Sequence, residues 1–260
     1  MNVRVFVLVV CLALGVVAAY PADRAFAVKN DLISDAETVS RFMAAVAAYK
    51  AEDYDKAIAA YEEILRAGKE SGALYYNLGN SYFKKGSLGK AILNYERARR
   101  LIPRDGDLNF NLEYARAKAN LPAVVGISWP RLVEQRICNW TEREIGWGLV
   151  VIAFGGAALH LASLFGCWPV RARRHVIGLV CLLWLIFVGG LAAKFSAEKD
   201  LAVAVAESEA KFEPREDAVT YFPLTEGAMV KILAAQGVWA KVKRADGKVG
   251  WVPEKAFERF

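Results

Sequence analysis

The sequence predicts a multi-domain chain: an α-helical repeat solenoid, a two-helix transmembrane hairpin and a small all-β barrel. Three observations carry this prediction. A pattern of aromatic, small and leucine positions recurs with a 34-residue period in the first half. Two runs in the middle lack formal charge, and the stretch 200–260 exchanges helical periodicity for strict alternation. In 260 residues, a mean hydropathy of +0.22 beside 24% charged residues fits spans joining soluble parts better than one globule. The net charge of +6 is a small excess spread along the chain, part of it topological, so no nucleic-acid partner is expected.

Residues 1–27 read as a secretory signal or an uncleaved N-terminal anchor. Arg4 precedes an apolar stretch from Val5 to Val17, and Val17-Ala18-Ala19 offers a cleavage site, with Ala25-Phe26-Ala27 as a later one. Val10 before Cys11 is too large for a lipoprotein signal. Either reading places the repeats outside the cytoplasm.

Residues 34–122 hold the repeats. In the central copy, Gly72 to Asp105, the small residues Gly79, Ala91 and Ala98 allow two helices to approach, and Pro103 ends the second. Tyr75, Leu78, Tyr82, Leu88, Ile92 and Tyr95 fill the space between them. Tyr54, Ala57, Ile58, Tyr61 and Ile64 stand one period before Leu88, Ala91, Ile92, Tyr95 and Ala98. A truncated third copy starts at Gly106, where Asn111-Leu112 repeats Asn77-Leu78. This is the tetratricopeptide pattern, and it predicts a binding surface without catalysis. Tyr76, Asn77, Asn80, Phe83 and Lys84, with Asn111, are expected to line a groove for an extended peptide, their amides pairing its backbone. On the second helix Arg97, Arg99 and Arg100 read as a solvated outer face, with steering of an acidic partner as the alternative.

Residues 128–144 place Trp129, Leu132, Val133, Ile137 and Trp140 at helical spacing, as in an amphipathic helix lying in a membrane interface or packed on the repeats. Thr141 and Glu144 form a capping box for the next helix. Residues 145–166 are expected to span the membrane, 167–175 to form a cytoplasmic loop marked by Arg171, Arg173 and Arg174, and 176–195 to return. Gly155, Gly156 and Ala157 opposite Gly189, Gly190 and Ala193 would let the spans pack closely. His160 reads as a packing residue, since neither span offers a carboxylate partner.

Residues 200–260 alternate at 201–206, 230–232 and 238–242, with Gly227, Gly237 and Asp246-Gly247 as turns and Gly250-Trp-Val-Pro253 as a last strand. Five short strands in this length imply a small barrel. Alternation sends Ala240 and Val242 inward and Trp239, Lys241 and Lys243 outward. Enzymatic chemistry finds no footing: the two histidines, His160 and His175, lie in or beside the spans, and the cysteines Cys11, Cys138, Cys167 and Cys181 offer no disulfide framework for the exported parts. No cofactor, catalytic residue or metal site is expected. The Asn139-Trp140-Thr141 sequon lies too close to the membrane for glycosylation to be expected.

The run Asn77-Leu-Gly-Asn-Ser-Tyr-Phe83, the run Arg97-Ala-Arg-Arg-Leu-Ile-Pro-Arg-Asp105, the two-span hairpin and the final domain, taken in this order, resemble the BatE-type proteins of the aerotolerance (Bat) operons. The last domain resembles bacterial SH3 modules through Leu224, Glu226-Gly227, Val230, Trp239, Val242, Asp246-Gly247 and Gly250-Trp-Val252. The resemblance implies a bacterial inner-membrane scaffold with two or three spans, its repeats and SH3-like domain periplasmic, beside von Willebrand factor A-domain membrane proteins. It implies no reaction. Trp239, Lys241 and Pro253 would form the SH3-like surface; Ala256 replaces the tyrosine of a proline-peptide groove, and peptidoglycan is the alternative ligand, making the chain a cell-wall-binding anchor. The carboxylate clamp of some tetratricopeptide co-chaperones keeps Asn77 here but has Phe42, Val46 and Asp107 at other clamp positions.

Overall fold

The computed structural model describes residues 31–121, 141–165, 170–198 and 200–260. The signal segment 1–27 and positions 128–140 of the amphipathic segment lie outside the described residues. The chain divides into two units, one holding Glu142–Ser196 and the other Thr38–Thr141 with Ala197–Phe260.

In the second unit, helices α1 (Asp31–Lys50) and α2 (Tyr54–Arg66) form one hairpin, α3 (Gly72–Lys85) and α4 (Leu88–Leu101) the next, and α5 (Gly106–Lys118) opens the third copy. Local sequence sets these boundaries. Asp53, Ser71 and Asp105 cap α2, α3 and α5 by accepting the backbone N–H of Lys56, Leu74 and Leu108. The first helix of each copy then closes in the same way. Glu52, Gly86 and Asn120 stand one repeat period apart, and each adopts a left-handed backbone, with φ of 61°, 89° and 52°. The next residue's N–H reaches back to the last turn in each case: Asp53 to Ala48 O, Ser87 to Tyr82 O and Leu121 to Arg116 O. Glycine suits this conformation, and the first copy adopts it with a glutamate.

The core between the helices is aromatic and small. Tyr61, Leu78, Ile92, Tyr95, Leu108 and Leu112 are buried. A Cβ on Gly79 would stand 2.6 Å from the Tyr95 ring, and one on Gly72 2.7 Å from Ile102, so close helix approach depends on these glycines. Burial pushes the Tyr61 phenol up to about 12, with Tyr49 adding to the shift.

The C-terminal part is one antiparallel sheet of seven strands in the order β3-β2-β6-β5-β4-β1-β7. These are β1 (Leu201–Ala204), β2 (Ser208–Lys211), β3 (Thr220–Leu224), β4 (Met229–Gln236), β5 (Trp239–Arg244), β6 (Val249–Pro253) and β7 (Phe257–Arg259), with a 3-10 turn at Glu254–Ala256. Seven strands replace the expected five. The Asp246-Gly247 hairpin forms as its sequence dictates: Arg244 N–H reaches Lys248 O at 2.9 Å and Gly247 takes φ of 88°. The Arg244 guanidinium bonded to Asp246 holds that carboxyl down at about 2. Alternation buries Ala240, Val242, Val252, Val230, Phe222 and Leu224 on one face.

The sheet does not hang free of the repeats. Val203 joins the repeat core, with Val205, Met229 and Phe260 packed against it. Gly89, in the first turn of α4, donates its N–H to Glu226 Oε1 at 2.7 Å. Arg97 donates to Arg259 O at 2.8 Å and stands 3.6 Å from the Glu258 carboxylate, and the Arg100 guanidinium lies 4.5 Å from the Phe260 ring centre. Glu96, 1% exposed, pairs with Arg99 at 2.7 Å and with Arg116 of α5, whose guanidinium also touches Met229 Sδ. The expectation of a solvated arginine face on α4 is therefore corrected in part: the β-sheet covers Arg97 and Arg100, while Arg99 stays largely exposed beside Glu96 of its own helix.

The other unit contains α6 (Glu142–Phe165) and α7 (Val170–Glu198). The chain is already helical at Val170, so Arg171, Arg173 and Arg174 lie in the first turns of α7 and not in a loop running to residue 175. Arginine and alanine both favour helix, so these positions are compatible with it. Glycine packing also differs from expectation. Cβ atoms on Gly148 and Gly156 would meet Phe187 at 2.6 Å and Val180 at 2.5 Å, whereas Gly155, Gly189 and Gly190 face open space. Among the described residues no helix is long and apolar enough to cross a membrane.

Candidate functional groove

The groove arises from the repeat period. Helices α1, α3 and α5 are the first helices of successive copies, and five positions on each recur from copy to copy. Phe42, Tyr76 and Phe110 form one row, Met43, Asn77 and Asn111 the next, and Val46, Asn80 and Tyr114 the third. Tyr49, Phe83 and Ala117, then Lys50, Lys84 and Lys118, complete it. Within each helix these positions are neighbours through i,i+3 and i,i+4 spacing, and none is buried.

Direct contacts tie α3 to α5 along this surface. Asn111 Nδ2 donates to Tyr76 Oη and to Asn80 Oδ1, both at 3.0 Å, and Asn80 Oδ1 also accepts from Tyr95 Oη at 2.7 Å. Three expected residues, Tyr76, Asn80 and Asn111, thus come together, but as a brace between helices. Asn77 lies on the same face and turns its amide to Ala73 O of its own helix at 3.0 Å. The expectation that these amides pair a peptide backbone is therefore modified: much of their hydrogen-bonding capacity is used inside the protein. Burial pushes the Tyr95 and Tyr49 phenols up, so at neutral pH both are protonated donors.

Phe83 belongs to an aromatic ladder. Its ring centre is 5.6 Å from Tyr114, which stacks on Phe110 at 6.4 Å with the planes 8° apart. Phe110 and Tyr114 are 70% and 56% exposed, and the Lys118 ammonium lies 4.7 Å from the Phe83 ring centre. Lys84 is exposed beside them. The sequence reading misses Phe110, Tyr114 and Lys118, although one repeat period on from Tyr76, Asn80 and Lys84 reaches all three.

The expected SH3-like surface changes more. Trp239 is only 8% exposed, pairing across the ladder with Pro253, so it is no open ligand platform. Alternation correctly set its face opposite Ala240 but gave no information on what covers that face. Lys241 and Pro253 are half-buried, and the Lys241 ammonium lies 5.8 Å from the ring centre of Trp251, its cross-strand neighbour.

Among the described residues no cluster of three or more His, Cys, Asp or Glu could hold a metal ion. The groove offers aromatic faces, a hydrogen-bonded amide brace and ammonium groups, which suit recognition of a chain segment. A search among curated proteins finds no match. Residues 42–106, from α1 to the start of α5, match the family described as Tetratricopeptide repeat, so over this stretch the chain is similar to helical repeats that serve protein–protein interaction.

Proposed function

We propose that the chain is a non-enzymatic scaffold that holds partner proteins in the groove across α1, α3 and α5. The observation that supports this most is the exposed Phe110–Tyr114 stack continuing into Phe83 beside the braced amides. A photo-cross-linking residue placed at Lys84 in the full-length chain should capture a protein. Phe110→Ala with Tyr114→Ala should abolish that capture while circular dichroism is unchanged; identical capture by the folded variant would count against the reading.

The proposal extends to location and company. In this reading, which goes beyond the described helices, none of them long and apolar enough to cross a membrane, the full runs 145–166 and 176–195 form a membrane hairpin in the bacterial inner membrane, with the repeats and an SH3-like C-terminal domain on the periplasmic side. Support comes from the absence of Asp, Glu, Lys and Arg throughout 145–166 and from the exposed Trp147, Val151, Phe154, Leu179, Leu182 and Ile186 on the two helices. Alkaline phosphatase fused after Phe260 should be active in cells, and an inactive fusion would overturn the exported placement. Membership of a Bat-type stress complex, with von Willebrand factor A-domain membrane proteins as partners, rests on the sequence resemblance and is tested by co-purification.

A second reading, a cell-wall-binding anchor, now has to use Trp251 in place of the buried Trp239, because Trp251 carries Lys241 above its ring. Retention of the full-length chain on purified peptidoglycan, lost in Trp251→Ala, would favour it.

A further inference from the structure

We infer that the groove reads an extended acidic segment of its partner protein, one carboxylate for each repeat. This rests on the groove being the binding site. Lys50, Lys84 and Lys118 occupy the same position of α1, α3 and α5, one repeat period apart, and all three are exposed. None of the fifteen groove positions, five on each of three helices, is a carboxylate. Of the acidic side chains of the first copy, Asp55 pairs with Lys85, Glu62 with Tyr82 and Glu63 with Arg41, and Asp53 caps α2 through the Lys56 N–H, which leaves Glu52 in the turn after α1 as the carboxylate next to Lys50. The groove is therefore a local positive field above an aromatic floor, and Lys118 is held over that floor by the Phe83 ring.

Spacing defines the ligand further. Packed helices stand about 8–10 Å apart, and a chain extended as polyproline II rises about 3.1 Å per residue and returns to the same face at every third residue. One acidic side chain at about every third residue would meet successive lysines. The residues between them would rest on Phe42, Tyr76, Phe110 and Tyr114. An extended peptide fits this better than a free carboxylate terminus, because the cationic positions form a row and not a single clamp.

Selection of random phage-displayed dodecapeptides on the full-length chain tests this. Asp or Glu should be enriched at every third position, and selected peptides made synthetically should bind more weakly as salt rises. Each exposed lysine contributes about 1.5- to 5-fold, so Lys50→Gln with Lys84→Gln and Lys118→Gln should together weaken binding by about 3- to 100-fold. Peptides without acidic enrichment that still need Phe110 and Tyr114 would overturn the acidic preference and leave the groove reading standing. Selection insensitive to both sets of variants would overturn both. Lysine-dependent binding of a dodecamer of oligo(dT) or of phosphatidylglycerol vesicles, with no acidic peptides selected, would assign the row to a nucleic acid or lipid surface and overturn the inference.

Discussion

Gly89→Ala tests the docking of the sheet on the repeats through the sign of its effect. In a helix of a freely exposed repeat, replacing glycine by alanine stabilises by up to about 1 kcal/mol. Here a Cβ on Gly89 would stand 2.5 Å from Ala204 O, 2.6 Å from Glu226 Cγ and 3.0 Å from Val205 Cα. Two of these three atoms are backbone and cannot rotate away. Overpacking of this kind costs about 1–3 kcal/mol. Any separation that relieves it also lengthens the 2.7 Å bond from Gly89 N–H to the Glu226 carboxylate, a charge-assisted contact of about 1.5–3 kcal/mol. The expected outcome is a net loss of about 1–3 kcal/mol. At about 2–4 °C per kcal/mol for a unit of this size, Tm should fall by several degrees. Thermal and urea melts of the full-length chain, followed by circular dichroism and tryptophan fluorescence, measure it. Gly106→Ala is the control, because its Cβ would meet nothing within 4 Å. If Gly89→Ala is as stabilising as Gly106→Ala, α4 is not covered by the sheet and the reasoning fails.

Three further outcomes are expected. Glu52→Gly should stabilise by up to about 1 kcal/mol in urea melts, because a left-handed backbone costs a non-glycine residue about 1–2 kcal/mol, offset by the entropy of glycine in the unfolded chain. Arg116→Ala should destabilise by about 3–5 kcal/mol in the same assay by leaving the buried Glu96 carboxylate without its best partner, whereas Arg99→Ala, at a side chain 41% exposed, should cost much less. Stability should also fall in strong alkali: the Tyr61 pKa is raised in the folded state to about 12, so its contribution is complete below the unfolded value of about 10 and is lost as pH rises from 10 towards 12. Tyr61→Phe should flatten the stability profile in that window, and an unaltered slope would contradict the assignment.

The helical half was legible because its signals are local or periodic. Pro103 announces the end of a helix, and the repeat period carries the core positions from one copy to the next; the caps at Asp53, Ser71 and Asp105 are equally local signals that went unread. The same step located the groove, but it reached from Asn77 to Asn111 and not from Asn80 to Tyr114 or from Lys84 to Lys118. Strand β2 escaped because Ser208-Glu-Ala-Lys211 has one apolar residue and no alternation to read. Trp239 was assigned to the correct face with the wrong exposure, since periodicity reports which side a residue points to and long-range packing decides what covers that side.

Docking of the sheet left a mark in the sequence at the places where the two copies disagree. Asp55 and Ala59 on α2 are exposed; their counterparts one repeat period on, Gly89 and Leu93, are buried. A helix that replaces aspartate by glycine and alanine by leucine on its outer face has traded solvent for a packed neighbour. The same neighbour covers the last described edge of the array. A solenoid needs a cap over its last apolar edge. Gly227 of the sheet supplies that closure, its backbone so near that a Cβ would lie 2.5 Å from Ile92 and 3.1 Å from Leu121, while Met229 meets Arg116. The sheet therefore covers the outer side of α4 and the end of α5, and the opposite side of the array keeps Phe110, Tyr114 and the lysine row in solvent, where a partner can reach them.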